Sequence, residues 1–201
     1  MIIAIDGPAA TGKSTTAKLV ALNLGITYLD TGAMYRCVTL SVLKNEISLD
    51  DKKKLLSLLD TIDIQFKKIE SKNLVFLNKE DVTDDIRKTA VTNHVSAVSS
   101  IKEVRAFLVE NQRKIAKSND CVVEGRDIGT IVFPHAEVKI FLIADAHIRA
   151  KRRQIELSEM GEEKSLDVLI NEIKKRDHLD SNRENSPLRK ANDAIELDTT
   201  N

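Results

Sequence analysis

A chain of 201 residues is long enough for one ordinary domain, or one with a small insert. Apolar residues make up 42%, enough for a sizeable core, while aromatics reach only 3% and Trp is absent. The 31 basic residues balance the 31 acidic ones, which argues against a general binder of nucleic acid or membrane surfaces, whose affinity rests on excess positive charge. No apolar run approaches the length of a membrane span.

Ile2-Ile3-Ala4-Ile5 is a short apolar run that reads as a buried parallel strand. Gly7-Pro8-Ala9-Ala10-Thr11-Gly12-Lys13-Ser14 follows and spells G-x-x-x-x-G-K-S. Beyond it Ala17, Val20, Ala21 and Leu24 recur at helical spacing, and Gly25 supplies a C-terminal stop. Strand, glycine loop and helix form the setting in which this spacing becomes a phosphate-binding P-loop. A β-phosphate needs several backbone N–H donors at once, and Gly7 and Gly12 let the loop curl without Cβ clashes. The helix starting beneath the phosphates adds unpaired amides and the positive end of its dipole. Lys13 is expected to bridge the β- and γ-phosphates of ATP, and the Ser14 hydroxyl to ligate Mg²⁺. Gly7 through Thr15 is the expected ATP-binding segment.

A phosphate loop starting at residue 7 leaves no room ahead of it for a signal peptide. Cys37 lies in a helical pattern and Cys121 opens an apolar run, so both read as buried thiols rather than a disulfide. A reducing, cytoplasmic location is expected.

Asp30-Thr31-Gly32-Ala33-Met34-Tyr35-Arg36 follows an apolar run around Ile26 to Leu29. Met34, Val38 and Val42 then mark one face of a helix, with Tyr35 and Arg36 expected in its first turn, beside amides suited to a second phosphate. From Ile62 to Val82 the pattern changes. Ile62, Ile64 and Phe66 alternate with polar residues, Glu70-Ser71-Lys72-Asn73 reads as a turn, and Leu74 to Leu77 returns, with Val82-Thr83 as a third strand. These connections are too short for parallel crossovers, so a small antiparallel insert over about 62–83 is expected. Helical spacing resumes at Val91, Val95 and Val98, breaks at Ser99-Ser100, and restarts with Val104, Leu108 and Ile115.

Cys121-Val122-Val123 reads as a buried strand running into Glu124-Gly125-Arg126-Asp127-Ile128-Gly129, charges that fall at the carboxyl edge of a parallel sheet, where such sheets bind ligands. Val138 to Ala144 is a near-continuous apolar strand. Asp145 caps a helix carrying Arg149, Arg152 and Arg153. A break at Glu159 to Glu162 leads to a second helix with Leu166, Leu169, Ile170 and Ile173. Two helices joined by a polar break, one bearing arginines, suit a lid over phosphates, expected at about 149–165. Arg176, Asp177, Asp180 and Arg183 crowd the end of the second helix, and Ala194 to Leu197 is a last short strand.

Together these motifs resemble bacterial cytidylate kinases, a family of P-loop nucleoside monophosphate kinases. The resemblance rests on Ile5 through Ser14, on Asp30 through Arg36, on Glu124 through Thr130 with Val132-Phe133-Pro134, and on Arg176-Asp177, Asp180 and Arg183, and it spans nearly the whole chain. It implies a three-layer α/β P-loop kinase fold, with a five-stranded parallel sheet, a small antiparallel β insert in the acceptor-binding part, and a helical lid. The implied reaction moves the γ-phosphoryl group of ATP to CMP or dCMP with Mg²⁺, in a cytoplasmic monomer with no nucleic-acid or membrane partner. Lys13, Arg126, Arg149 and Arg153 are the implied catalytic charges. Thr31, Tyr35, Arg36 and Arg126, joined by Arg183, resemble the family's contacts to the acceptor phosphate. Ser96, Arg105 and Asp127 resemble its cytosine readers, and Arg176 and Asp180 its ribose contacts.

Two features depart from the family pattern. Thr31 stands where serine is common, which preserves the hydroxyl. The chain ends at Asn201, where members continue into a terminal helix, so either that helix is dispensable or one flank of the sheet is less covered than in relatives. The alternatives are another monophosphate or a small hydroxyl acceptor such as shikimate and, outside catalysis, a nucleotide-dependent switch, which would normally read guanine through N-K-x-D, a motif not expected in this chain. An arginine lid and a second phosphate site have no purpose in a switch.

Overall fold

The computed structural model describes residues 1–69, 72–117 and 119–201, which divide into two compact units. The first comprises Met1–Asp30 and Arg113–Asn201, the second Thr31–Gln112. The first unit is built on a five-stranded sheet: β1 (Ile2–Asp6), β2 (Thr27–Asp30), β6 (Cys121–Gly125), β7 (Val138–Ile143) and β8 (Ile195–Asp198). Its order is β2-β6-β1-β7-β8, and every pairing is parallel. β1 is central, with Ile5 opposite Glu124 of β6 and Ile140 of β7. Parallel strands need both faces covered. Accordingly Ile3, Ile5, Val122 and Leu142 pack with Ala17 and Ala21 of α1 (Lys13–Leu24).

α1 ends as expected on Gly25, whose left-handed backbone (φ 67°) lets its N–H reach Ala21 O and Leu22 O. α6 (Ala146–Glu159) is capped by Asp145, which accepts from the N–H groups of His147 and Ile148. It packs on α7 (Leu166–Asn182) through Ala150, Leu157, Leu169 and Ile173. A short π-turn, Ile128–Val132, follows β6 and has no counterpart in the sequence reading.

The second unit holds α2 (Thr31–Lys44), α3 (Lys52–Leu59), α4 (Thr89–Ser100) and α5 (Lys102–Ala116, its last turn belonging to the first unit), with an antiparallel sheet of β3 (Ile64–Ile69), β4 (Lys72–Leu77) and β5 (Glu80–Asp81). Ala33, Cys37 and Leu40 of α2 pack on Val75 and Leu77 of β4 and on Val82, Ile86 and Val91. Sequence patterning missed α3, whose eight residues bury only Leu55 and Leu59 behind an Asp51 cap.

Three local expectations are corrected. α2 begins at Thr31, so Tyr35 and Arg36 lie in its second turn rather than its first. The third strand of the small sheet is Glu80–Asp81, not Val82-Thr83, because Val82 turns inward to the core. The tetrapeptide Asn78-Lys79-Glu80-Asp81 does spell N-K-x-D, but it forms the tip of the β4–β5 hairpin and the short strand after it. Asn78 and Lys79 take positive φ (50° and 73°), as a two-residue turn of this kind requires. Of the turn expected at Glu70 to Asn73, Glu70 and Ser71 lie outside the described residues, and Lys72 already opens β4. Cys37 and Cys121 are both buried, and neither forms a disulfide.

β8 sits at the sheet edge with β7 as its neighbour, and all four of its residues are exposed, Ile195 by 60% and Leu197 by 45%. Its amides are expected to exchange with deuterium markedly faster than those of β7, which pairs on both sides. Equal protection of the two strands would show that this edge is held by more than the ladder.

Candidate active site

The phosphate loop leaves β1 at Gly7 (φ 148°), turns through Ala10 (φ 58°) and enters α1 at Gly12 (φ 83°). Its carbonyls are tied down by side chains from several elements. Lys13 Nζ donates to Pro8 O at 2.5 Å, and Thr11 Oγ1 to the same oxygen at 3.0 Å. Arg149 Nη1 of α6 donates to Ala9 O at 3.1 Å, and Thr199 Oγ1, just beyond β8, to Thr11 O at 2.9 Å. Arg152 in turn holds Thr199 through its hydroxyl and carbonyl oxygens. Thr199 and Arg152 were not among the expected site residues. A threonine after a short terminal strand carries no sequence signal for such a contact.

β2 and β6 end beside this loop, with Asp30 and Glu124 in register. Glu124 is buried and accepts from Ser14 Oγ at 3.0 Å and from the Tyr28 hydroxyl. Burial, then the neighbouring Asp30, raises its carboxyl above the ordinary range, while Lys13 works against the rise. Burial also raises the Tyr28 phenol, followed by Asp30 and Glu124. Ser14, Glu124 and Asp30 form an all-oxygen donor set of the kind Mg²⁺ prefers. Among the described residues no group of three or more His, Cys, Asp or Glu could enclose a metal ion.

The first unit also gathers guanidinium groups, each held by a carboxylate. Arg126 Nε donates to Asp180 Oδ2 at 3.0 Å, and Arg176 Nε approaches the same oxygen at 4.0 Å. Arg149 makes a two-pronged contact with Asp177, at 3.1 and 2.5 Å. Arg183 Nη2 lies 3.7 Å from Asp127 Oδ1. Arg153 pairs with Glu156 of its own helix at 2.7 Å. Burial would raise Asp180, but Arg126, Arg176 and Arg183 outweigh it and hold the carboxyl below its ordinary value. Asp180 therefore adds stability above the ordinary carboxylate range and loses it as pH falls through the depressed value. Burial, then the positive charges of Arg126 and Arg176, push the Lys13 ammonium well below its ordinary value, with Glu124 and Asp6 opposing. The pocket around Lys13 disfavours a further cation and would be relieved by a polyanion.

In the second unit Thr31 is buried at the start of α2, and Tyr35 and Arg36 follow one turn later. Ser96 lies on α4. Arg105 of α5 is 4% exposed, donates to Ser99 O at 3.2 Å, and stands 5.4 Å from the Tyr35 ring centre. The expected acceptor residues thus fall into two sets, with Arg126, Asp127, Arg176, Asp180 and Arg183 in the first unit and Thr31, Tyr35, Arg36, Ser96 and Arg105 in the second.

A family model described as Cytidylate kinase matches residues 3–201. The chain belongs to the cytidylate kinase family. It is 53% identical to the cytidylate kinase of Caldicellulosiruptor bescii, over 98% of this chain and 88% of that protein. It is 50% identical to that of Lactobacillus johnsonii (100% and 87%) and 52% to that of Streptococcus pneumoniae (98% and 89%). A solved structure of an uncharacterized protein from Eubacterium ventriosum superposes with a TM-score of 0.50 at 16% identity, covering 100% of this chain and 90% of that one, a likeness of fold alone. Among the described residues no helix is long and apolar enough to cross a membrane.

The family's phosphate loop has one position where space is absolute. A Cβ at Gly7 would lie 2.2 Å from the Leu142 carbonyl oxygen of β7, at a φ that L-residues avoid. Gly7→Ala is expected to cost about 3 kcal/mol or more. The thermal midpoint should fall by roughly 6–12 °C, and ATP binding should be lost with it. An unchanged midpoint with intact ATP affinity would contradict this close approach.

Proposed function

We propose that this chain transfers the γ-phosphoryl group of ATP to the 5′-phosphate of CMP or dCMP, releasing CDP or dCDP and ADP. The observation that carries the reading is the set of guanidinium groups gathered by the phosphate loop, with Arg149 bonded to Ala9 O and Arg126 and Arg176 sharing Asp180, in a chain of this family. Such a cluster suits several phosphate groups at once. The P–O bond to the β-phosphate breaks as a bond forms to an acceptor phosphate oxygen. That oxygen is already ionised near neutral pH, so no general base is needed, and catalysis is positioning plus charge stabilisation.

In this reading residues 7–15 hold the donor phosphates, and Lys13 spans β and γ. Ser14 would hold Mg²⁺, which supplies charge neutralisation on the phosphates when bound. Arg126, Arg149 and Arg153 meet the charge on the transferring group, the last two from the helical hairpin over about 149–165, read as a lid. Thr31, Tyr35, Arg36, Arg126 and Arg183 take the acceptor phosphate, and Arg176 and Asp180 the ribose. Ser96, Arg105 and Asp127 read the base. Cytosine presents an N4 amine donor beside an N3 acceptor, and a carboxylate with a guanidinium answers both. The enzyme acts as a cytoplasmic monomer on small molecules, without nucleic acid. The antiparallel insert of about 62–83 belongs to its acceptor-binding part.

An ADP-release assay across CMP, dCMP, UMP, AMP and shikimate tests the assignment, with turnover expected for the cytidylates above all. Preference for AMP or shikimate would overturn it. Lys13→Met is expected to lower kcat by two to three decades with little change in CMP affinity, since its contact strengthens in the transition state. Turnover within about twofold of the parent would remove Lys13 from that role. Asp127→Ala is expected to raise KM for CMP and narrow the CMP/UMP ratio of kcat/KM, because uracil leaves polar partners unmatched at about 1–3 kcal/mol per group. An unchanged ratio in folded protein would take Asp127 out of base recognition.

A further inference from the structure

Asp6 is the last residue of β1, immediately ahead of the phosphate loop, and nothing above gives its side chain a part in the reaction. It is only 5% exposed, yet both carboxylate oxygens are engaged. Oδ1 accepts from the Ile128 N–H at 2.8 Å and Oδ2 from the Gly129 N–H at 2.7 Å. These amides open the π-turn that directly follows Arg126 and Asp127. The fit there is close, since a Cβ on Gly129 would come within 3.4 Å of Asp6 Oδ2 and 3.1 Å of Lys139 Cδ.

Only a carboxylate can receive both amides. An Asn of the same shape would accept one and turn its own N–H₂ toward the other. The strand end is a costly place for that charge, because burial pushes the Asp6 carboxyl up to about 6, against the two amides and Lys13, with Asp127 adding to the rise. Two other charged side chains pack on this turn: Lys139 of β7, engaged by Pro134 O and Asp193, and Arg113 of α5, which donates to Ile131 O and Val132 O. An apolar residue would serve the strand better, so the acid is kept for what it holds.

We propose that Asp6 is a positioning residue for phosphoryl transfer: its carboxylate clamps the loop bearing Arg126 and Asp127 against the strand that ends in the phosphate loop, and so fixes acceptor-side groups relative to donor phosphates. The inference rests on the cytidylate kinase reading. Displacements of about 1 Å in such an arrangement cost on the order of a hundredfold in rate.

Asp6→Asn is compared with the parent chain in CMP and ATP kinetics, with circular dichroism as the check on folding. If the parent fails to phosphorylate CMP, the kinase reading fails. If it succeeds, Asp6→Asn should lose about ten- to a hundredfold in kcat/KM for CMP while KM for ATP stays within about threefold. A CMP kcat/KM within twofold of the parent, or equal losses of CMP and ATP affinity, would overturn the clamp. A second measurement needs no variant. Hydrogen-exchange protection of the Ile128 and Gly129 amides in the parent, corrected for intrinsic rates, should fall at least about fivefold between pH 7.5 and 5, as Asp6 protonates and one oxygen becomes a donor. Val122 in β6 should hold over the same range. Unchanged protection at residues 128 and 129 would equally overturn it.

Discussion

Positive charge gathered around the phosphate loop is the constraint on which the rest of this structure depends. Lys13, Arg126, Arg149, Arg176 and Arg183 belong to one compact unit, and three of them are linked through shared or adjacent carboxylates. Two like charges at 4 Å repel by about 4 kcal/mol in a medium of intermediate polarity. Unpartnered, these side chains would turn out toward water and would have to be reordered at each binding event. Asp180, shared by Arg126 and Arg176, and Asp177, gripping Arg149 from two sides, keep them in place. The carboxylates cancel part of the repulsion. Such preorganisation is what stabilises charge that develops during transfer.

The same logic governs the backbone. Gly7, Ala10 and Gly12 all sit at positive φ, and a non-glycine residue there is strained by about 1–3 kcal/mol. Hydrogen bonds to the carbonyls of Pro8, Ala9 and Thr11 offset this at about 1 kcal/mol each. Their donors come from the loop itself, from α6 and from the segment after β8. The loop is therefore shaped by chain more than a hundred residues away, and its conformation is a property of the assembled unit. The Asp6 contact extends that dependence to the loop after β6, so this loop and the phosphate loop both hang from the end of the central strand.

The proposed chemistry asks for no histidine or cysteine nucleophile. A phosphate acceptor is already a nucleophile, so binding energy goes into alignment and charge. Ser14 and Tyr28 both donate to the buried Glu124 beside the loop, and that acid is raised by burial and by Asp30.

The sequence by itself determined the elements whose cause is local. The P-loop spacing, the apolar runs of β1, β6 and β7, the Gly25 stop and the Asp145 cap each follow from residues a few positions apart, and each stands in the structure. The two-strand alternation around Phe66 and Val75 was equally legible, because period-two patterning reports burial on one face. Only the tertiary structure decided which strand neighbours which, that Asp6 reaches residues 128 and 129, and that Thr199 braces Thr11. It also decided that Val82 faces a core while Glu80 and Asp81 pair, and that Asn78-Lys79 is a hairpin turn rather than a base reader. α3 escaped because eight residues with two buried leucines carry too little periodicity to stand out. Each of these contacts joins residues whose types are ordinary in isolation. Their meaning depends on closing loops of tens to hundreds of residues, and no local pattern records which closure the whole chain favours.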